Sequence, residues 1–278
     1  MVIRAYAKIN LTLDIVDKRE DGYHNIDSVF QSVGLFDTVK VEKSDKISVV
    51  CNGVEKEKNT AFAAAHEFFG FTGISGGVKI EIEKRIPMLS GLGGGSADAA
   101  AVIIALDRIY KTNLKKQELV TIAMSCGADV PFCISGGTAR VSGIGEKITE
   151  MPEIGGLWAV IVKHGEKKST ADMYKKIDNI TDIKLYTEEF VKHALNGEKE
   201  MAISGVGNAF SAVFDDDGVL KILSELKPIG AALSGSGPAC FAVFRCEMEA
   251  KAAAQKLTDS GFSPYTVPFV NSGNAVIE

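Results

Sequence analysis

The segment Pro87-Met88-Leu89-Ser90-Gly91-Leu92-Gly93-Gly94-Gly95-Ser96-Ala97-Asp98 is made for chemistry on phosphate: four of six consecutive residues are glycine, and an apolar helix pattern follows at once. Glycines let backbone N–H groups approach phosphate oxygens with no Cβ in the way. The start of a helix adds unpaired N–H groups and partial positive charge. Two familiar glycine motifs are excluded. A P-loop needs Lys and Ser/Thr after its last glycine, where this chain has Ser96 and Ala97. A dinucleotide fingerprint needs glycine in place of Ser96 and a ribose-binding acid further on. A flexible turn that merely happens to be glycine-rich is the competing reading.

Phosphoryl transfer also needs a base for the acceptor and a cation for the moving group. Asp129 stands among apolar residues in Gly127-Ala128-Asp129-Val130-Pro131-Phe132, where an unpartnered carboxylate is costly. Taken alone it reads as a helix cap or turn residue. Lys8, in Ala5-Tyr6-Ala7-Lys8-Ile9-Asn10-Leu11, lies within an apolar strand pattern and shares a strand face with Asn10. It reads either as the partner of Asp129 or as a lysine whose stem is buried and whose amine reaches solvent.

The elements that must position these groups follow from the pattern. Residues 1–16, 26–33 and 38–50 read as strands of a largely antiparallel sheet. Asn59 caps an alanine-rich helix that ends near Gly70. Val78, Ile80 and Ile82 alternate with charged residues as a strand that Pro87 closes. Ala97, Ala100, Ala101, Ile104 and Ile109 recur at helical spacing through Tyr110, with Ser96 as the expected N-cap. A helix over 117–125 and a strand over 138–141 follow. Pro152, Gly155 and Gly156 then mark a linker, dividing residues 1–153 from 154–278. Beyond it come a strand at 157–162, helices at 171–177, 187–195, 201–214 and 219–226, strands at 231–233 and 240–244 around Ser234-Gly235-Ser236-Gly237-Pro238, a helix at 247–257 and a last strand. The fold class is α+β.

Composition narrows the function. Of 278 residues, 46% are apolar and 24% charged, with net charge −5, which argues against nucleic acid or an acidic membrane as partner. No apolar stretch approaches the roughly 20 residues a membrane span needs. Five cysteines without a Cys-x-x-Cys pair fit reduced thiols in a cytoplasmic protein. Four histidines lack zinc-ligand spacing. Asp215 to Asp217 lack the closing acid of a calcium loop. No metal ligands are read from the sequence.

Ala7-Lys8-Ile9-Asn10-Leu11, Asp21-Gly22-Tyr23-His24, Gly91 to Ser96, Gly127-Ala128-Asp129-Val130-Pro131 and Gly235-Ser236-Gly237 together, in this order, resemble the GHMP kinase superfamily over nearly the whole chain. Five spaced motifs are far more specific than any one. The resemblance implies a two-domain architecture, with an N-terminal ATP-binding domain of mixed or antiparallel sheet and helices, and a C-terminal ferredoxin-like α/β sandwich. It also implies ATP and Mg2+, Asp129 as catalytic base and Lys8 as its cationic partner. Pro87, the loop Gly91-Leu92-Gly93-Gly94-Gly95-Ser96 and, near the adenine, Asn59 would hold ATP. Within the superfamily the match points to the branch that phosphorylates an alcohol carrying a cytidine diphosphate group in non-mevalonate isoprenoid synthesis. Asn10, Tyr23, His24, Thr170, Tyr174, Gly235, Ser236 and Gly237 would then bind that substrate, with Tyr174 stacking on cytosine. The protein would work as a monomer or homodimer on small molecules. Read without the resemblance, Tyr23-His24 is an ordinary hairpin pair, Tyr174 a core aromatic and Gly235 to Gly237 a tight turn. A superfamily kinase for homoserine, mevalonate or a sugar, and a non-catalytic metabolite-binding regulator, are the alternatives. Many relatives carry Asn-Asp-Leu-Glu where this chain has Asn208-Ala209-Phe210-Ser211, and small residues at Leu89-Ser90. Both departures put magnesium ligation in question.

Overall fold

The apolar alternation at the N-terminus builds β1 (Val2–Lys18), which turns near Gly22 into the long β2 (His24–Ser44). In this computed structural model, which describes residues 1–51 and 59–278, there follow β3 (Ser48–Cys51), α1 (Thr60–Thr72), β4 (Gly77–Glu83), α2 (Gly94–Tyr110), α3 (Lys116–Cys126), α4 (Val130–Ser135), β5 (Thr138–Gly143) and β6 (Lys147–Glu150). The rest of the chain contains β7 (Trp158–Lys163), α5 (Thr170–Ile177), α6 (Thr187–Leu195), α7 (Lys199–Ser204), β8 (Gly207–Asn208), a 3-10 turn (Ala209–Ala212) and α8 (Val219–Glu225). It ends with β9 (Gly230–Leu233), β10 (Ala239–Phe244), α9 (Glu247–Asp259), β11 (Tyr265–Pro268) and β12 (Asn274–Val276).

The first sheet runs β12-β1-β2-β4-β3, with β5 paired to β2, β6 to β5 and β8 to β1. It is antiparallel except at β3–β4 and β1–β8, so it is mixed, as expected. The second sheet, β11-β7-β10-β9, is antiparallel throughout. Its chain order, with helices between β7 and β9 and between β10 and β11, is the ferredoxin-like arrangement. Alternation along β7 serves two cores: Ala159 and Ile161 join the large core shared with the first sheet and α2, while Val160 and Val162 face α5, α8 and α9.

Two expectations change. Residues 26–33 and 38–50 are not two strands, because β2 runs unbroken to Ser44 before β3 begins. The helix expected over 201–214 ends at Ser204, and residues 207–208 pair instead with Thr12 and Leu13 of β1. Tertiary pairing overrides helical propensity there. Two short elements were unanticipated: β6, and α4, a six-residue helix with Pro131 in its first turn. The division at 153/154 falls between β6 and β7, but β8 and β12 return to the first sheet. Residues 274–276 pair with Ala5, Arg4 and Ile3.

Candidate active site

The helix after the glycine loop starts earlier than the serine rule predicts. Gly93, at φ 71°, is the N-cap of α2, and no side chain caps the helix. Ser96 therefore lies inside the first turn, not at the N-cap, and lines the site. The glycines are required by close approach as well as by conformation. A Cβ on Gly91, at φ 85°, would lie 2.3 Å from the Ser234 carbonyl oxygen, and one on Gly93 would lie 3.0 Å from Cγ of Lys8. The uncapped helix start thus sits against the lysine and against the second glycine turn. Leu92 differs from its neighbours: its side chain is fully buried, and its carbonyl accepts the Lys8 N–H at 3.0 Å.

Two cavities meet at this loop and share Gly91, Gly93 and Ser96. The larger, about 460 Å3, is walled by the loop, Pro87, Asn59 and Thr60 at the start of α1, Lys84 and Asp98. Asn59 caps α1, accepting the Ala61 N–H at 2.9 Å. Lys84 bridges two buried carboxylates that the sequence did not single out. It reaches Asp37, which also accepts the backbone N–H groups of Arg85 and Ile86, and Asp98 at 2.7 Å. Oδ1 of Asp98 has no hydrogen-bond partner. Burial is the main cause that raises the Asp98 carboxyl to about 7, opposed by Lys84 and reinforced by Asp37.

The second cavity, about 390 Å3, is lined by Lys8, Ala128, Asp129, Lys167, Thr170, Gly235 and Ser236 with the shared loop residues. Lys8 is 4% exposed. Its Nζ lies 3.3 Å from Oδ2 of Asp129, donates to Oδ1 of Asn10 at 2.7 Å and sits 4.5 Å over the Phe30 ring. Phe30 meets Phe132 of α4 edge to face at 5.2 Å, tying the helix that begins at Asp129 to the strand facing Lys8. Asp129 occupies the N-cap position of α4 but makes no capping hydrogen bond, so its carboxylate is left for the cavity. Asn10 is 1% exposed. Its amide is committed to Lys8 and to Ser28 at 3.0 Å, so it holds the lysine from behind the cavity wall.

The second glycine turn, Ser234 to Pro238, closes the site from the other domain. Ser234 Oγ donates to the Gly91 carbonyl at 3.2 Å, and Ala239 N–H donates to the Ser90 carbonyl. Asn208 is buried. Its Nδ2 donates to the carbonyls of Leu233 and Gly235, each at 2.8 Å, while Oδ1 accepts the Phe210 N–H. Asn208 thus braces the turn, and Phe210 beside it meets Tyr174 edge to face at 5.0 Å.

Tyr174 stacks on His24, with ring centroids 4.5 Å apart and planes 14° from parallel. His24 Nε2 contacts Asp178 at 2.6 Å, while the neighbouring Tyr23 is 63% exposed. Tyr174 and His24 are brought together from α5 and β2, forming an aromatic group with an open ring beside it. Thr170 and Ser236 hydroxyls are 2.8 Å apart at the cavity. Lys167 went unnoticed in the sequence because Glu166-Lys167-Lys168 reads as a solvated charge run. Among the described residues, no group of three or more His, Cys, Asp or Glu is placed to hold a metal, and no helix is long and apolar enough to cross a membrane.

A model of the GHMP kinases N terminal domain matches residues 59–137, and one of the GHMP kinases C terminal region matches residues 199–262. A protein of Clostridium acetobutylicum named 4-diphosphocytidyl-2-C-methyl-D-erythritol kinase is 38% identical over 261 residues, 90% of this chain and 93% of that protein. The crystal structure of a 4-(cytidine 5'-diphospho)-2C-methyl-D-erythritol kinase superposes with a TM-score of 0.77 at 30% identity, covering 97% of this chain and 99% of that one. The structure of homoserine kinase from Cytophaga hutchinsonii gives a TM-score of 0.78 at 21% identity, over 100% of this chain and 97% of that one, a likeness of fold alone.

Proposed function

The chain belongs to the GHMP kinases, in the family of the 4-diphosphocytidyl-2-C-methyl-D-erythritol kinases, and we propose that it transfers the γ-phosphoryl of ATP to the 2-hydroxyl of 4-diphosphocytidyl-2-C-methyl-D-erythritol. The observation that carries this reading is the Lys8–Asp129 pair, 3.3 Å apart, in a cavity that adjoins the glycine loop. ATP lies in the larger cavity with its phosphates on the first turn of α2. Backbone N–H groups and Ser96 hold the oxygens that Gly91, Gly93, Gly94 and Gly95 leave accessible. Asp129 takes the proton of the acceptor hydroxyl as that oxygen bonds to the γ-phosphorus. The bond from phosphorus to the β–γ bridging oxygen breaks, and ADP leaves with the electron pair. Lys8, fixed by Asn10 and held over Phe30, orients the carboxylate and offsets charge on the moving group.

Mg2+ would be carried at this site mainly by phosphates and water. Ser96 and Asp98 line the larger cavity, and Oδ1 of Asp98, buried without a partner, is a carboxylate oxygen left for such an ion. When bound, the ion neutralises phosphate charge. The cytidine end goes to the Tyr23, His24 and Tyr174 group, whose aromatic faces suit a base, and Thr170, Ser236 and the glycines around it line the path between. The test supplies purified protein with ATP, Mg2+ and, in separate reactions, the cytidine-bearing alcohol, homoserine, mevalonate and a sugar. The expected result is ADP release with the cytidine-bearing alcohol alone. Turnover of homoserine alone would overturn the substrate assignment.

A further inference from the structure

Lys167 sits at the mouth of the acceptor cavity, and its setting differs from that of Lys8. Lys8 has a carboxylate partner. Lys167 spends its donors on neutral oxygens: the Ser236 carbonyl at 3.1 Å, the Ser236 hydroxyl and the Gly237 carbonyl at 2.8 Å. No carboxylate among the described residues lies within ion-pair distance of it. It is half-buried, lines the same cavity as Asp129, and comes from the segment between β7 and α5 in the second domain. A cation withdrawn from water and given only neutral partners is costly to hold. Placed beside a cavity that takes a polyanion, it is complemented when an anion arrives.

The charged groups facing it are Lys8 from β1 and Asp129 at the start of α4. Burial first and Lys8 second push its amine down to about 8, with Asp129 opposing. The three hydrogen bonds also tie it to the turn that Asn208 braces from behind. An anion captured by Lys167 is therefore pulled against Ser236 and towards the glycine loop.

We propose that Lys167 is a second phosphate-binding cation of this site, holding a phosphate oxyanion of the bound reactants between the second-domain glycine turn and Lys8. The proposal rests on the kinase reading above and adds to it a side chain that the shared motifs do not include. Two phosphate sources have this chemistry, the moving phosphoryl group and the diphosphate of the acceptor, and steady-state kinetics separates them.

The experiment compares wild type, Lys167→Met and Lys167→Arg, with ADP affinity measured to show that the nucleotide side is intact. For Lys167→Met we expect kcat/KM for the acceptor to fall about 100-fold, the scale for losing one preorganised charge contact. A fall carried by kcat assigns the moving phosphoryl. A rise carried by the acceptor KM assigns its diphosphate. Lys167→Arg keeps the charge and should recover at least a tenth of wild-type activity. The pH profile of kcat/KM supplies a readout that a bracing role would not move. The charged amine is present below about pH 8 and lost above it, so wild-type activity declines there, whereas Lys167→Arg holds to higher pH. Kinetic constants within twofold of wild type in Lys167→Met, or equal losses in the Met and Arg variants, would overturn the proposal. Wild-type protein that turns over none of the cytidine-bearing alcohol would instead sink the underlying kinase reading.

Discussion

The two cavities on either side of the glycine loop are built on opposite plans. On the proposed reading, the nucleotide side is assembled from the first domain: the loop itself, the start of α1, and a buried Lys84–Asp37–Asp98 group beneath them. Its recognition surface is mostly backbone, and its buried charges are structural partners of one another. The acceptor side draws on β1, α4, α5 and the turn between β9 and β10, so it exists only when both domains are in place. Its charges, Lys8, Asp129 and Lys167, line the cavity proposed to take the acceptor. Damage to the first side should therefore appear as lost stability or nucleotide affinity, and damage to the second as lost turnover with folding intact.

The sharpest break in that contrast is Lys8→Met, which removes the cation and leaves Asp129 without its partner. We expect kcat to fall about 10^2 to 10^3-fold while the melting temperature and ATP affinity stay near wild type. On the nucleotide side, Asp37→Ala strands Lys84 and two backbone N–H groups. The expected loss is about 3–5 kcal/mol of folding stability, read by urea unfolding; a change below about 1 kcal/mol would mean that Asp98 alone can satisfy the lysine. A smaller effect tests the far end of the acceptor side. Tyr174→Ala should weaken binding of the cytidine-bearing substrate about tenfold, the order of an aromatic contact, with ATP affinity nearly unchanged in calorimetry. Equal weakening of both ligands would make Tyr174 a packing residue through Phe210.

The same contrast explains what could be read from the sequence. The glycine loop is contiguous, so its residues announce themselves, and α2 follows at once. Only its start was misplaced, because Gly93 reaches a left-handed conformation that needs no serine cap. Lys8 and Asp129 stood out singly, as charges in apolar settings. Their approach to 3.3 Å depends on Phe30 and Phe132 packing β2 against α4, which no local pattern records. Lys84 stayed hidden because it sits among other surface-like charges, Glu83 and Arg85, while Asp37 and Asp98 are single acids far apart in the chain that become one buried group only where β2, β4 and the start of α2 meet. Asn208 carried no local signal of its role. Its work on Leu233 and Gly235 spans more than twenty residues of chain. The return of β12 to β1 likewise has no signature beyond a short terminal strand.

The central claim is that Asp129 is spared from capping in order to take the acceptor's proton, on the side of the loop away from the nucleotide. Asp129→Asn tests it most directly, because the amide preserves shape and cannot accept the proton. With ATP, Mg2+ and the cytidine-bearing alcohol, the account predicts a fall in kcat of about 10^2 to 10^4-fold, with ATP affinity within twofold of wild type. A kcat within threefold of wild type would contradict it.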